Sequence, residues 1–364
     1  MKKLKVHLDR KQSQSYEICI GYDIFDRIAV MIANSRIAAR YAIVTDDCVG
    51  SLYGEMLLAH LAGVGVRSDL IVFPAGERSK NVRSVLDVTG KLLDLGVDRK
   101  SALIALGGGV TGDLAGFIGS VYMRGIPCIQ VPTTLLAQVD SSIGGKTAID
   151  LPQGKNLIGT FSQPAAVFID IKCLDTLPAA EYQNGLAEVA KYGIIDSEDL
   201  FRKLEGGAEM IRSRNRPFLE AVIQSACTIK KGIVEMDERE QGLRRILNFG
   251  HTLGHALETV SGYRLAHGNA VAVGMIAAAR ISQKLHGLPA EDLKRIEGLV
   301  ASLSLACRIP RDLALEDILT ALQRDKKKDG DAIHFVLLKK IGLPFVNGGV
   351  PDNLLRETIE ELRA

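Results

Sequence analysis

At 364 residues, with 47% hydrophobic and 24% charged side chains, the chain has the composition of a folded globular protein with room for two cored domains. A formal net charge of +2 gives no bulk electrostatic reason to bind nucleic acid or an anionic membrane, and the lack of Trp argues against a base-stacking surface. No apolar run reaches the ~20 residues of a membrane span, Lys5, His7 and Asp9 interrupt any signal-like start, and six scattered cysteines form no CxxC pair, so a cytoplasmic protein with reduced thiols is expected.

Residues 1–22 alternate apolar and polar, which predicts two strands, near 5–8 and 16–20. A short apolar run at 41–46 ends in Asp46, the profile of a buried parallel strand whose polar end meets a ligand crevice. A helix over 51–62, a strand over 68–73, the loop Pro74-Ala75-Gly76-Glu77-Arg78-Ser79-Lys80 and a helix over 82–94 follow. This β-α-β-α order predicts a parallel sheet flanked by helices.

A strand over 101–106 then runs into Gly107-Gly108-Gly109-Val110-Thr111-Gly112-Asp113 and a helix of small residues. Gly107, Gly109 and Gly112 match the spacing of a dinucleotide fingerprint, between a strand and a helix as that motif requires. Glycines let backbone approach a pyrophosphate, and a helix N-terminus offers it free N–H groups. The acid usual about 20 residues downstream is missing; the next acid after Asp113 is Asp140. Ribose contacts are therefore expected from earlier in the chain, at Asp46. Taken alone, the loop reads equally as a tight turn with small-residue packing.

A strand over 127–134 ends in Thr133 and Thr134. Beyond it, Gly145-Lys146 and Gly154-Lys155-Asn156 lie in a stretch read as loop-rich, where lysines beside glycines can reach a phosphate. A Walker A loop is excluded, because Asp140 stands where its first glycine is needed. After 167–171 the strand pattern stops, and helices are expected near 179–192, 197–205, 215–235, 250–260, 268–286, 290–303 and 314–325. The expected class is α/β, with a parallel-sheet domain over 1–175 and a mainly α-helical domain over 176–364. Glu188 lies in an apolar helical stretch with Lys191 one turn on, a better setting for a ligand than a charged surface run. The charge run 325–329 reads as a solvated turn, and a strand at 334–338 precedes a Gly/Pro loop and a last helix.

Two of seven histidines, His251 and His255, stand four residues apart in Asn248-Phe249-Gly250-His251-Thr252-Leu253-Gly254-His255, and His267 follows in Ala266-His267-Gly268-Asn269. On a helix such a pair shares one face. Either both rings bind a divalent cation, or one binds it while the other moves protons. Such pairs also occur by chance. Here Gly250, Gly254 and Gly268 suggest close packing, and Arg244 and Asn248, one turn apart, suit an anionic, hydroxylated ligand.

The stretches 107–113, 131–140, 154–156, 185–192 and 247–256 together resemble the 3-dehydroquinate synthase family, in the same order and nearly end to end. The resemblance implies a Rossmann-like N-terminal domain and an α-helical metal-binding domain, a fold similar to iron-dependent alcohol and glycerol dehydrogenases, and a homodimer. It implies Glu188, His251 and His267 as ligands of zinc or cobalt, and His255 as a proton-handling residue instead. It implies NAD contacts at Asp46, Glu77, Lys80, Gly108, Gly109, Val110, Asp113, Thr133, Thr134, Lys146, Lys155 and Thr176. Lys146, Asn156, Lys191, Lys230 and Arg244 take catalytic positions. Arg124, Asp140, Lys155, Asn248 and Lys326 take substrate positions, with Arg124 reaching the phosphate across the dimer. One departure is Cys48, where the family often has Asn; Cys is a poor hydrogen-bond donor and is left out of the site.

The reaction so implied converts 3-deoxy-D-arabino-heptulosonate 7-phosphate to 3-dehydroquinate and phosphate, by transient NAD oxidation, phosphate elimination, re-reduction, ring opening and aldol closure. Closure of the two halves around the ligands is expected, because site residues come from both. A sister sugar-phosphate cyclase, of the 2-deoxy-scyllo-inosose or 2-epi-5-epi-valiolone synthase type, is the nearest alternative. Lys230, Arg244 and Lys326 favour a carboxylate-bearing substrate over those. A metal-dependent polyol dehydrogenase would not need the phosphate-binding lysines, and a non-catalytic nucleotide sensor would not need the complete Glu188, His251, His255 and His267 set.

Overall fold

The computed structural model describes residues 15–326 and 333–363, with only the backbone of 324–326. The expected strand at 5–8, most of the charge run 325–329 and the side chain of Lys326 lie outside that description.

The first part of the chain alternates strand and helix. β1 (Ile18–Gly21) leads through α1 (Phe25–Ser35) to β2 (Arg40–Asp46), and the short α2 (Asp47–Val49) and α3 (Glu55–Gly63) lead to β3 (Ser68–Phe73). Then come α4 (Val82–Asp94), β4 (Ser101–Gly107), α5 (Gly109–Val121) and β5 (Cys128–Pro132), followed by β6 (Lys146–Leu151), β7 (Gly154–Phe161) and β8 (Ala166–Asp170). Six strands form one sheet in the order β1-β8-β5-β4-β2-β3, with every pair parallel. Its inner strands are short runs of Val, Ile, Leu and Ala because helices cover both faces. Alternation sorts them: Ile43, Ile104 and Ile129 pack with Ile28, Leu57 and Leu61 on one face, while Val44, Leu103 and Ala105 pack with Val88, Leu92, Leu114 and Ile118 on the other.

The rest is mainly helical: α6 (Ala179–Ile195), α7 (Glu198–Gly206), α8 (Ala208–Arg212), α9 (Arg216–Met236), α10 (His251–Val260), α11 (His267–His286), α12 (Ala290–Ser302) and α13 (Leu315–Lys326). A hairpin of β9 (Phe335–Lys340) and β10 (Leu343–Asn347) and the terminal α14 (Asp352–Arg363) complete it. α11 is buried almost all round, with Ala270 through Ala279 inside the largest core cluster, so its neighbours are fixed against it.

Several elements differ from the sequence expectation, among them α8, which falls between two expected helices, and β10, where a Gly/Pro loop was expected. α1 was not expected; it buries Phe25, Ile28, Ala29 and Ile32 on one face, a stripe that a short gap between strands concealed. Residues 146–161, expected as loop, form the antiparallel hairpin of β6 and β7 outside the main sheet. Their Gly and Lys content lowers strand propensity, and cross-strand pairing overrides it. Residues 243–248 form a 3-10 helix ahead of α10 rather than an α-helical turn.

Candidate active site

Glycines set the position of the metal-ligating candidates. Gly250, with φ 80°, caps the start of α10, and a Cβ there would stand 2.6 Å from Met275 Cγ and 2.7 Å from the Val271 carbonyl. A Cβ at Gly268 would stand 2.4 Å from the Asn184 carbonyl oxygen. α10 and α11 can therefore approach each other and α6 closely enough to bring His251, His267 and Glu188 together.

The ligand atoms of Glu188, His251 and His267 lie within 4.8 Å of one another. Both imidazole Nε2 atoms stand 3.5 Å from Glu188 Oε1, and Lys191 is in ion contact with Oε2. Glu188 is fully buried, with the Lys191 ammonium at one oxygen and the two imidazoles at the other, an arrangement that gathers positive charge and metal-ligating nitrogens around a carboxylate away from water. The other ring nitrogens are held from behind: His251 Nδ1 lies 3.2 Å from the Phe249 carbonyl, and His267 Nδ1 lies 3.3 Å from Glu258 Oε2. Outer partners of this kind fix ring orientation at metal centres. The donor set, one carboxylate and two imidazoles, suits zinc or a similar divalent ion with positions left for substrate and water. The residues present thus fit the group.

Electrostatics agree. Burial alone would raise the Glu188 pKa, but Lys191 and the two imidazoles hold it well below the usual range. Burial and the Lys191 charge hold His251 well below its usual value, so it stays neutral. Burial also opposes charge on His267, yet hydrogen bonds to Glu188 and Glu258 raise its pKa to about 10. The two rings beside one carboxylate thus shift in opposite directions. His255 is exposed at the edge of this cluster, its ring centroid 5.3 Å from that of His251. It also joins Glu258 and His267 in a second group of ligand atoms.

A second set of side chains crosses between the sheet and the helices. Lys230 Nζ donates to the Asp140 carbonyl at 2.6 Å and to Oδ1 at 2.5 Å, and Tyr192 donates its OH to the same Oδ1 at 2.6 Å. Burial opposes ionisation of Asp140, but Lys230 brings its pKa down to about 2. Burial also lowers Lys230 despite this partner, so the stabilisation of the pair rests on the carboxylate. Arg244 is 2% exposed; its Nη2 donates to the Gly144 carbonyl at 3.1 Å, while its Nε has no partner. Lys146 is paired with Glu240, which also accepts from Asn248 Nδ2 at 2.8 Å.

The glycine turn lies where the C-terminal ends of β2, β4 and β5 meet, the usual ligand crevice of a parallel α/β sheet. α5 starts at Gly109 with no side-chain cap and no acid in its first turn, which leaves its N–H groups available to an anion. A Cβ at Gly108 would stand 2.9 Å from Thr134 Cγ2, so only glycine keeps this crevice open. Thr133 Oγ1 is buried with no partner. Lys80 donates to Asp113 at 2.5 Å and to Asn156 Oδ1 at 2.6 Å, and Lys155 lies 3.5 Å from Glu77. These features fit a dinucleotide.

Other candidates have prior partners. Asp46 caps α2 through Val49 N–H at 2.9 Å and accepts from Thr111 at 3.2 Å, so its carboxylate is already in use inside the fold. Thr134 Oγ1 accepts from Ala137 N–H at 3.1 Å, and Thr176 is hydrogen-bonded to Tyr53. Val110 sits in the first turn of α5. Arg124 is exposed, with φ 71°, and makes no hydrogen bond or ion pair among the described residues. Sequence reasoning missed Glu240, Tyr192 and Glu258. Glu240 lies in the run 235–240, rich in surface-type charges, where nothing marks one acid; Glu258 lies one helical turn beyond His255, which was a usable signal.

Residues 70–184 match the family described as 3-dehydroquinate synthase N-terminal, and residues 185–328 match 3-dehydroquinate synthase C-terminal. The chain is 47% identical over 330 residues to a 3-dehydroquinate synthase from Syntrophotalea carbinolica, covering 90% of this chain and 91% of that one. It is 41% identical over 362 residues to one from Thermodesulfovibrio yellowstonii, covering 99% and 100%. Among solved structures, it matches a 2-epi-5-epi-valiolone synthase from Streptomyces hygroscopicus, with NAD+ and Zn2+ bound, at TM-score 0.90 and 29% identity over 98% of this chain and 99% of that one. A 2-deoxy-scyllo-inosose synthase complexed with carbaglucose-6-phosphate, NAD+ and Co2+ matches at TM-score 0.87 and 28% identity, over 94% and 96%. A glycerol dehydrogenase from Schizosaccharomyces pombe, at TM-score 0.67 and 17% identity over 98% and 92%, shares the fold.

Proposed function

We infer, for a chain that belongs to the 3-dehydroquinate synthase family, how its side chains divide the family's reaction. The enzyme converts 3-deoxy-D-arabino-heptulosonate 7-phosphate to 3-dehydroquinate and phosphate. The observation that carries the assignment of the site is the buried Glu188 carboxylate facing two imidazoles, with the ligand atoms of Glu188, His251 and His267 within 4.8 Å of one another. Glu188, His251 and His267 would hold one zinc or cobalt ion, and the glycine turn at Gly108–Val110 with Thr133, Lys80 and Glu77 would hold NAD. When bound, these two groups supply a Lewis acid at a substrate oxygen and a reversible hydride acceptor.

The chain's own residues bind, orient and move protons. Lys230 and Arg244 orient the substrate carboxylate and hydroxyls, with Asp140 holding Lys230 in place. Asn248 adds a hydroxyl contact. Lys146 and Lys155 neutralise the phosphate as it leaves, and Asn156 donates a hydrogen bond to it. His255, beside the ligand histidines and open to the cleft, exchanges the substrate hydroxyl proton. Lys191 keeps Glu188 ionised. Several steps thus proceed on one bound molecule because every group is pre-positioned. Two further readings belong to the whole chain. We propose a division at 175/176, supported by the end of the sheet at Asp170 and the start of α6 at Ala179, and a homodimer in which Arg124 serves the partner's phosphate. The six free cysteines support a cytoplasmic setting, and among the described residues no helix is long and apolar enough to cross a membrane.

The test follows phosphate release and NADH absorbance together, with the heptulosonate phosphate, catalytic NAD+ and Zn2+. Phosphate release without lasting NADH is the expected outcome. Stoichiometric NADH without phosphate would instead mean a polyol dehydrogenase, and binding of metal and NAD+ with neither signal would point to a sister cyclase.

A further inference from the structure

Tyr263 is absorbed by none of these roles, yet its geometry is unusual. α10 ends in a Schellman cap: Gly262 N–H donates to the Thr259 carbonyl at 3.0 Å and Tyr263 N–H donates to the Glu258 carbonyl at 2.8 Å. Such a cap needs one left-handed residue, and Gly262, with φ 61°, provides it. Tyr263 also has φ 61°, which the cap does not require and which is an outlier for a bulky side chain. The ring does not serve as the apolar plug that often accompanies this motif, because it is 49% exposed. It stands instead beside Lys155, whose Nζ lies 4.6 Å from the ring centroid.

The contact joins two parts of the site that are far apart in sequence. Lys155 belongs to the β6–β7 hairpin, where Asn156 receives Lys80. Tyr263 belongs to the connection that delivers His267. The other neighbour of the Lys155 ammonium is Glu77, at 3.5 Å. A lysine on a flexible four-carbon stem with one loose ion pair samples many positions. An aromatic face on its second side restricts it without neutralising it. We propose that Tyr263 is a positioning residue that holds the Lys155 ammonium, by a cation–π contact across the cleft, at the place where the site takes the phosphate of its substrate. Strained backbone retained at a functional position is the expected signature of such a role.

The inference rests on Lys155 being a phosphate lysine, so the test separates the two. Inhibition by inorganic phosphate and KM for the heptulosonate phosphate are measured on the Zn2+- and NAD+-loaded enzyme, for the wild type and four variants. Lys155→Ala should weaken both severely. Tyr263→Ala should weaken both roughly two- to five-fold, the scale of one exposed cation–π contact, with little change in kcat. Tyr263→Phe, which keeps the ring, should match the wild type. Tyr263→Asn, which tolerates the left-handed backbone, should keep or raise Tm while losing phosphate affinity as the alanine variant does; a structural role alone would not produce that split. If Lys155→Ala leaves phosphate inhibition unchanged, the reading of the site fails and this inference falls with it. If Lys155→Ala weakens phosphate but Tyr263→Ala does not, or Tyr263→Phe is as impaired as Tyr263→Ala, the positioning role alone is overturned.

Discussion

At the residue scale, the groups behind Glu188, His251 and His267 fix the orientation of the proposed metal site. Glu258 is 6% exposed and meets His267 Nδ1, which points Nε2 at Glu188. Losing such an outer partner typically costs 10–100-fold in metal affinity. Glu258→Ala should therefore weaken Zn2+ by about that factor in a chelator competition, and Glu258→Gln should retain part of it; an unchanged affinity in both would remove Glu258 from this role. Asp140 gives a pH prediction. Its folded pKa, about 2, lies below the unfolded carboxyl value near ~3.9. Its contribution is then fully present above about pH 4 and is lost as pH falls from there toward 2. Urea denaturation across that range should show a shallower acid limb in Asp140→Asn than in the wild type.

At the element scale, the proposed metal triad depends on how closely α10 meets α11. Gly250 adopts φ 80° and faces Met275 and the Val271 carbonyl, so Gly250→Ala adds both left-handed strain of about 1–2 kcal/mol and an overlap. Gly274 faces the Gly250 carbonyl from the other helix, where a Cβ would stand 1.9 Å away, so α11 cannot retreat without losing its own packing. Lower Tm together with weakened Zn2+ binding is expected for Gly250→Ala, because His251 is the next residue. Lower Tm with full Zn2+ affinity would mean that the triad tolerates a shift of α10. The β6–β7 hairpin lies outside the main sheet, anchored by the buried Thr147 and Ile149, and presents Lys146, Lys155 and Asn156, each tied to a partner, toward the site.

At the scale of the whole molecule, one surface is left uncovered by this chain. Leu86, 65% exposed, stands with Val82 and Leu93 on α4, and Phe161, 49% exposed, stands with Leu157 and Ile158 on β7. β6, the hairpin partner of β7, meets the chain just before α4 through the Asp150 N–H bond to the Lys80 carbonyl at 2.7 Å, and exposed apolar side chains of this kind mark an interface. The proposed homodimer predicts that Leu86→Glu with Phe161→Glu shifts sedimentation to a monomer. If Arg124 serves the partner's site, mixing inactive Arg124→Ala and His251→Ala enzymes should regain activity through mixed dimers; no recovery after subunit exchange would mean that Arg124 does not act across the dimer.

The sequence by itself determined the parallel sheet, because buried parallel strands need continuous apolar runs and those at 41–46 and 101–106 are readable locally. Its ordered motifs, which resemble one family, also pointed to Glu188, His251 and His267 as the proposed ligand set. Periodicity alone favoured His255 as the partner of His251, since that pair shares one helix face and His267 lies beyond the expected helix. The tertiary structure brings His267 to 3.5 Å from Glu188 and leaves His255 exposed, because α11 packs across α10 and α6 on glycines whose fit is set by residues distant in the chain. Glu240, Tyr192 and Tyr263 were illegible for the same reason: each acts through a partner from a separate element, and sequence spacing carries no information about a contact made across a cleft.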